Sequence, residues 1–203
     1  MKLEAPVLAA GAVFWQASNL RHSKVQVYTP SGGVADFLAA GESSGRGVAD
    51  FGTDGKDMVW IEARGGPVRP EEDVDRARDD GRYEHVSILT APFTTAPTAI
   101  RARRLREESG SDFGTSGFVV GCGYAARLGA EQLRVVRLSD GRSWSLRSGA
   151  GWRWSSPMAM TCQELFVRVS VEGRIRLARV RLEASSTAAT KNARDLLIDA
   201  LRW

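Results

Sequence analysis

Four short segments of the chain share one pattern of apolar and polar positions. Each begins as strict alternation and then slips by one position: VQVYT from Val25, VSILT from Val86, LRVVR from Leu133 and IRLAR from Ile175. Alternation predicts a β-strand with one buried face, and the slip predicts a bulge or a strong twist. Each segment follows a second strand-like stretch across a turn-like or polar connection. The pattern therefore predicts a β-hairpin that occurs four times.

Further strands are predicted around these hairpins. One precedes each hairpin, and another follows each of the first three. The repeated segments start 61, 47 and 42 residues apart, and a polar insert at about 67–82 accounts for the longer first interval. Four antiparallel strands in every 40 to 50 residues is the period of a propeller blade.

In period and strand pattern, residues 5–183 resemble the WD-type and related bacterial β-propeller repeats. GTDGKDMVW at 52–60 resembles the turn and tryptophan of such repeats. LSDGRSW at 138–144 resembles the Asp-box of sialidase-like propellers, with one residue fewer between aspartate and tryptophan. The resemblance implies an all-β fold of about four propeller-like blades, each of four antiparallel strands. The resemblance implies no catalytic residues. The predicted blades are 5–40, 46–106, 113–147 and 152–183.

The letters GVADF occur twice, from Gly33 and from Gly47. We interpret the first copy as the outermost strand of one blade and the second as the innermost strand of the next. The polar stretch AAGESSGR between them is then the link from one blade to the other. The alternative is a simple hairpin in which the two copies pair directly.

A tail at 184–203 follows the last predicted blade. Apolar residues recur there at helical spacing, so the sequence predicts a short C-terminal helix near 188–202. The last blade has no clear fourth strand, and an exposed final strand needs a cover. The tail is one candidate cover. A second copy of the chain that completes an open propeller is another.

The net charge of +4 comes almost entirely from arginine. The arginines alternate along predicted strands, as at Arg174 and Arg176, which is typical of solvent-facing strand positions. The basic run RARRLR at 101–106 follows the acidic stretch EEDVDRARDD at 71–80, so nucleic acid is not predicted as a partner. No apolar run approaches the ~18 residues that span a bilayer. A complete chain predicts a cytoplasmic protein, and an excerpt of a longer exported chain predicts the cell envelope or secretion.

The two cysteines, Cys122 and Cys162, have no metal-ligand spacing, and only two histidines are present. We expect two free thiols, because adjacent blades permit a disulfide only near their crowded axis. The alternative, a disulfide, favours an oxidising compartment.

No motif for nucleophilic catalysis or phosphate binding occurs in the chain, and neither a cofactor nor a metal is predicted. The favoured function is a non-catalytic binding or scaffold module for a protein or glycan partner. The alternative is a propeller-type glycan hydrolase with carboxylates in its channel.

The candidate binding residues lie on one predicted loop face. The insert at 65–84 enlarges one hairpin connection and carries six acids among three arginines at 69–80. A long loop inside a compact unit is usually functional or a solvated surface loop, and both interpretations stay open here. The predicted binding residues are Glu71, Glu72, Asp73, Asp75, His22 and His85. The insert lacks the residue order of a dedicated calcium loop.

Overall fold

The computed structural model describes residues 2–3, 6–18, 23–39, 46–64, 85–109, 117–129 and 132–182. This part of the chain contains sixteen β-strands and one short 3-10 helix at Pro97–Ala99. The strands are β1 (Lys2–Leu3), β2 (Val7–Ala9), β3 (Ala12–Ser18), β4 (Ser23–Thr29), β5 (Gly33–Ala39), β6 (Arg46–Thr53), β7 (Asp57–Arg64), β8 (His85–Pro92), β9 (Arg103–Ser109), β10 (Gly117–Gly121), β11 (Tyr124–Leu128), β12 (Gln132–Arg137), β13 (Ser143–Arg147), β14 (Trp152–Met160), β15 (Glu164–Val171) and β16 (Arg174–Arg181).

The strands form four antiparallel sheets in chain order. Sheet 1 has the order β1-β3-β4-β5, with β2 also paired to β3. Sheet 2 is β6-β7-β8-β9, sheet 3 is β10-β11-β12-β13, and sheet 4 is β14-β15-β16. The predicted all-β, propeller-like fold of antiparallel units is therefore confirmed. The predicted C-terminal helix lies outside the described residues. No helix within those residues is long and apolar enough to cross a membrane.

The chain divides into two compact units, 1–115 and 116–203. The first contains sheets 1 and 2. The second contains sheets 3 and 4. Within each unit, the two sheets share one hydrophobic core.

The core of the first unit is centred on Phe14, which is fully buried in sheet 1. Its ring centroid lies 5.1 Å from that of Phe37, 5.4 Å from that of Phe51 and 5.9 Å from that of Phe93. Phe51 and Phe93 come from sheet 2 and the segment that follows β8. The cluster therefore joins the two sheets by direct aromatic contact.

The two GVADF copies both contribute to this core. The first copy lies in β5 at the edge of sheet 1, and the second lies in β6 at an edge of sheet 2. β5 pairs with β4 and β6 pairs with β7, so the copies are not a hairpin. The ring centroids of their phenylalanines, Phe37 and Phe51, lie 6.1 Å apart. The shared letters thus supply two aromatic rings to one interface.

One polar side chain also bridges these two sheets. Gln16 of β3 is buried, and its Nε2 donates hydrogen bonds to the carbonyl oxygens of Val48 (2.6 Å) and Ala49 (3.2 Å) in β6. The bulge in β6 falls between Val48 and Asp50. The amide therefore binds carbonyl groups at the point where the regular ladder of β6 is interrupted.

The core of the second unit is built from alternate residues of sheets 3 and 4. Trp154 is 5% exposed, and its Nε1 donates a hydrogen bond to the carbonyl oxygen of Leu146 in sheet 3 at 2.9 Å. Trp152 packs edge-on against Trp154, with ring centroids 4.7 Å apart. Both indoles thus contribute to the packing between sheets 3 and 4.

Two of the four repeated strands, β4 and β8, have a register shift in one pairing, and the extra residue lies on the partner strand: Phe37 of β5 and Leu105 of β9. The register shifts between Val25 and Gln26 in β4 and between Ile88 and Leu89 in β8. The bulge alternative is wrong for β12 and β16, which pair with their neighbours without a break. In β12 the adjacent Val135 and Val136 are both buried.

The expectation of two free thiols is wrong: Cys122 and Cys162 form a disulfide, with Cα atoms 5.0 Å apart. Each cysteine lies in the turn between the first and second strands of its sheet. The first strands, β10 and β14, pack closely because glycines of β10 face β14. A Cβ at Gly121 would lie 3.4 Å from Sδ of Met160, and one at Gly117 would lie 3.5 Å from Cε of Met158. The turns that follow these strands therefore converge.

A hairpin turn at 139–141 connects β12 and β13. Gly141 has φ +73°, in the left-handed region that glycine tolerates. Asp140 accepts a hydrogen bond from the Arg142 backbone N–H at 3.1 Å and forms an ion pair with the Arg137 guanidinium. The hydrogen bond from Arg137 is the main reason that the pKa of Asp140 lies well below its ordinary value.

The first prediction concerns the disulfide. Replacing Cys162 with Ser opens a loop of sequence separation 40, and the chain-entropy model then gives a loss of about 4 kcal/mol in the free energy of unfolding. Urea unfolding without reductant measures this loss. Under reducing conditions the variant and the wild type should become nearly equal, which is the control. Detection of two free thiols in the non-reduced protein by mass spectrometry would contradict the assignment.

The second prediction concerns the turn carboxylate. Because its pKa is depressed in the folded state, Asp140 contributes stability above the unfolded pKa of about 4, and this contribution is lost as the pH falls through the folded pKa. In an NMR titration we expect the Asp140 midpoint below 3.8, and Arg137→Gln should raise it. Asp36, whose pKa is lowered chiefly by Lys24, is the internal control and should not move. A wild-type Asp140 midpoint at or above about 4 refutes the ion pair.

Candidate binding surface

One end of sheet 2 brings together residues from all four of its strands. Arg46 pairs with Arg64, Arg64 with His85, and His85 with Ser109, so these residues occupy one row across the sheet. The long insert leaves the sheet after Arg64 and returns at His85. We call this row and the connections that reach it the loop end of sheet 2.

The length of the connection at this end is unusual for the fold. β7 and β8 pair in register up to Arg64 and His85, so a short turn is sufficient to join them. The same connection takes residues 19–22 in sheet 1, 129–131 in sheet 3 and 172–173 in sheet 4. In sheet 2 it takes residues 65–84. Strand pairing therefore does not require most of this segment.

The predicted binding residues divide into one that is described and five that are not. His85 begins β8 and is exposed at the loop end of sheet 2. His22 and the acids Glu71, Glu72, Asp73 and Asp75 lie outside the described residues. That they lie near His85 stays a prediction. Sequence reasoning did not single out Arg46 and Arg64, which only the strand register assigns to the row of His85.

The next two rows of sheet 2, counted away from the loop end, contain three carboxylates. Glu108 is next to Ser109, and its Oε1 lies 2.5 Å from Nε of Arg106. Glu107 forms an ion pair with Arg104 at 2.9 Å. Glu62 accepts a hydrogen bond from Nε1 of Trp60 at 3.3 Å. These acids are held by partners in their own sheet.

Other carboxylates of the described residues are held in the same way. Asp36 is paired with Lys24 at 2.8 Å, Glu164 with Arg179 at 3.4 Å, and Asp140 with Arg137. Among the described residues, no three His, Cys, Asp or Glu side chains are grouped closely enough to hold a metal ion. The arrangement in this part of the chain favours charge pairing within sheets over a convergent acid site.

The charge of the chain is divided unequally between the two units. Residues 1–115 contain fourteen basic and seventeen acidic residues, whereas residues 116–203 contain fourteen basic and seven acidic residues. The first unit is therefore acidic and the second strongly basic. The net charge of the whole chain does not show this difference, which appears only when the charges of the two units are counted separately.

Comparison with known proteins identifies the class of fold. No family model matches the chain, and no curated protein is significantly similar to it in sequence. Its fold is similar to that of several propeller-like β enzymes. One is an oligogalacturonate lyase in complex with manganese, with a TM-score of 0.60 and 8% identity over 87% of this chain and 49% of the lyase.

Two further structures show the same fold. A mutant of puromycin hydrolase complexed with PGG has a TM-score of 0.54 and 13% identity, over 89% of this chain and 27% of the hydrolase. A mutant of Synechocystis apocarotenoid oxygenase has a TM-score of 0.51 and 10% identity, over 88% of this chain and 47% of the oxygenase. This chain thus spans about half the length of the lyase and of the oxygenase. At these identities the likeness shows the fold alone.

Proposed function

We propose that the protein is a non-catalytic binding module that captures a basic segment of a protein partner at the loop end of sheet 2. The observation that carries the proposal is the 65–84 connection, which joins two strands already paired up to Arg64 and His85. Chain length beyond the need of the hairpin costs closure entropy, and such loops commonly serve binding.

The chemistry of the connection supports a basic partner. Residues 69–80 contain six acids and three arginines, so the segment carries a net negative charge. Carboxylates at Glu71, Glu72, Asp73 and Asp75 provide acceptors for lysine ammonium and arginine guanidinium groups. The exposed His85 and, by position in the equivalent connection of sheet 1, His22 complete the proposed binding set.

The glycan hydrolase alternative has less support. It requires two carboxylates that face a common substrate at a defined separation. The described acids named above are instead paired with lysine, arginine or tryptophan of their own sheets. The lyase, hydrolase and oxygenase share the fold with this chain, and a propeller-like fold hosts many unrelated functions.

The disulfide extends the proposal to a compartment. Disulfides persist in oxidising environments, so the bond between Cys122 and Cys162 favours the cell envelope or secretion over the cytoplasm.

The third prediction tests the acidic connection with a ten-residue oligoarginine peptide in isothermal titration calorimetry at low salt. Replacement of residues 67–82 by Asn-Gly should weaken peptide binding at least ~10-fold, since each ~1.4 kcal/mol of lost interaction is tenfold. The midpoint of thermal unfolding should not fall, because the hairpin register is kept.

A matched pair of variants separates charge from length. The combination Glu71→Gln, Glu72→Gln, Asp73→Asn and Asp75→Asn should weaken binding, and Arg69→Gln, Arg76→Gln and Arg78→Gln together should strengthen it. If the trimmed protein binds the peptide with unchanged affinity, the connection is only a surface loop and the proposal fails.

A further inference from the structure

Within the described residues, the large apolar side chains that remain exposed lie on two sheet faces. They are Leu8, Tyr28, Val34, Ile175 and Leu177. The first three belong to sheet 1 and the last two to sheet 4. Isolated exposed apolar residues are ordinary, but their confinement to two faces indicates surfaces that a partner covers.

In sheet 1 the exposed residues form one row across four strands. Leu8 pairs with Val13, Val13 with Tyr28, and Tyr28 with Val34. The next row on the same face is Trp15, Gln26 and Asp36. This outer face of sheet 1 is opposite the face that contributes Phe14, Val25 and Val27 to the core.

In sheet 4 the exposed residues lie on the last strand. Leu177 pairs with Arg168, and Ile175 with Ser170, while Phe166 pairs with Arg179 on the same face. This outer face of sheet 4 is opposite the face that contributes Leu165, Val167 and Val169 to the core. In the described part of the chain, β16 has a paired neighbour on one side only.

The charges on the two outer faces indicate which faces can pack against each other. The outer face of sheet 4 carries Arg153, Arg168, Arg179 and Arg181 against Glu164, so two copies of this face repel each other. On the outer face of sheet 1, the ammonium of Lys24 and the carboxylate of Asp36 balance at 2.8 Å. The basic second unit and the acidic first unit also attract each other in a head-to-tail contact between copies.

We propose that the outer face of sheet 4 packs against the outer face of sheet 1 of a second copy of this chain, and that the protein is a dimer in which this contact is made twice. Two copies also supply about the chain length of the lyase and of the oxygenase, of which one copy covers 49% and 47%. The inference is independent of the proposed peptide binding.

The area available is sufficient for a stable dimer. Strands of about 8 residues at ~3.3 Å per residue and three strands at ~4.8 Å give a sheet face of roughly 380 Å². Two contacts cover four such faces, about 1,500 Å² in total, which lies within the range of specific interfaces.

The fourth prediction is tested by sedimentation equilibrium of the full chain. We expect a mass of twice the 22.1 kDa of one chain. Val34→Lys on sheet 1 and Leu177→Asp on sheet 4 should each shift the protein toward monomer by at least ~10-fold in dissociation constant, because each places a charge within both contacts. Both residues are largely exposed. The introduced lysine would lie near Asp36 of its own strand, and the introduced aspartate would lie opposite Arg168. The fold should therefore be retained, which far-UV circular dichroism can verify.

The decisive experiment is to mix the two variants. In the mixed dimer one contact is wild type, and in the other the ammonium introduced by Val34→Lys faces the carboxylate introduced by Leu177→Asp. Dimer should therefore recover on mixing. Ala102→Lys and Ala150→Asp add the same charges at exposed positions outside both faces and should remain dimeric. A monomer at all concentrations, open-ended chains of copies, or failure to recover on mixing contradicts the proposal.

Discussion

The structure depends on one constraint, which is that each sheet must cover an apolar face with the next sheet in its unit. A strand presents alternate residues to opposite faces, so a sheet with an apolar face is stable only when another layer covers it. In the first unit, the ring of Phe14 meets Phe51 and Phe93 across the interface. In the second unit, Trp154 reaches the carbonyl oxygen of Leu146.

Polar and covalent contacts also join neighbouring sheets. Gln16 binds the carbonyl groups of β6 where its ladder is interrupted by a bulge. The disulfide joins two turns that converge because glycines allow β10 and β14 to approach. Each of these contacts fixes one sheet against its neighbour.

The sequence predicted the sheets well because alternation is a local property that survives in the final structure. The two GVADF copies, for example, were correctly assigned to different sheets. The disulfide was missed because its formation depends on how closely two strands from different sheets approach. Nothing in the spacing of Cys122 and Cys162 encodes that distance.

For the candidate surfaces, too, local features could be predicted from the sequence and features that depend on strand pairing could not. The insert at 65–84 was visible in the sequence because it interrupts the period of the repeat. The row of Arg46, Arg64 and His85 required the strand register. The exposure of Val34 also could not be predicted from pattern, since Val48 occupies the matching place in the second GVADF and is buried.

The most direct test of the central claim, that contact between successive sheets holds each unit together, is a double-mutant cycle between Phe14→Leu and Phe51→Leu. Their rings lie 5.4 Å apart in different sheets. We expect a coupling of about 0.5–1.5 kcal/mol in the free energy of unfolding. The control cycle of Phe14→Leu with Val167→Ala, which lies in the other unit, should be additive within about 0.5 kcal/mol. Additive effects of Phe14→Leu and Phe51→Leu would contradict the claim.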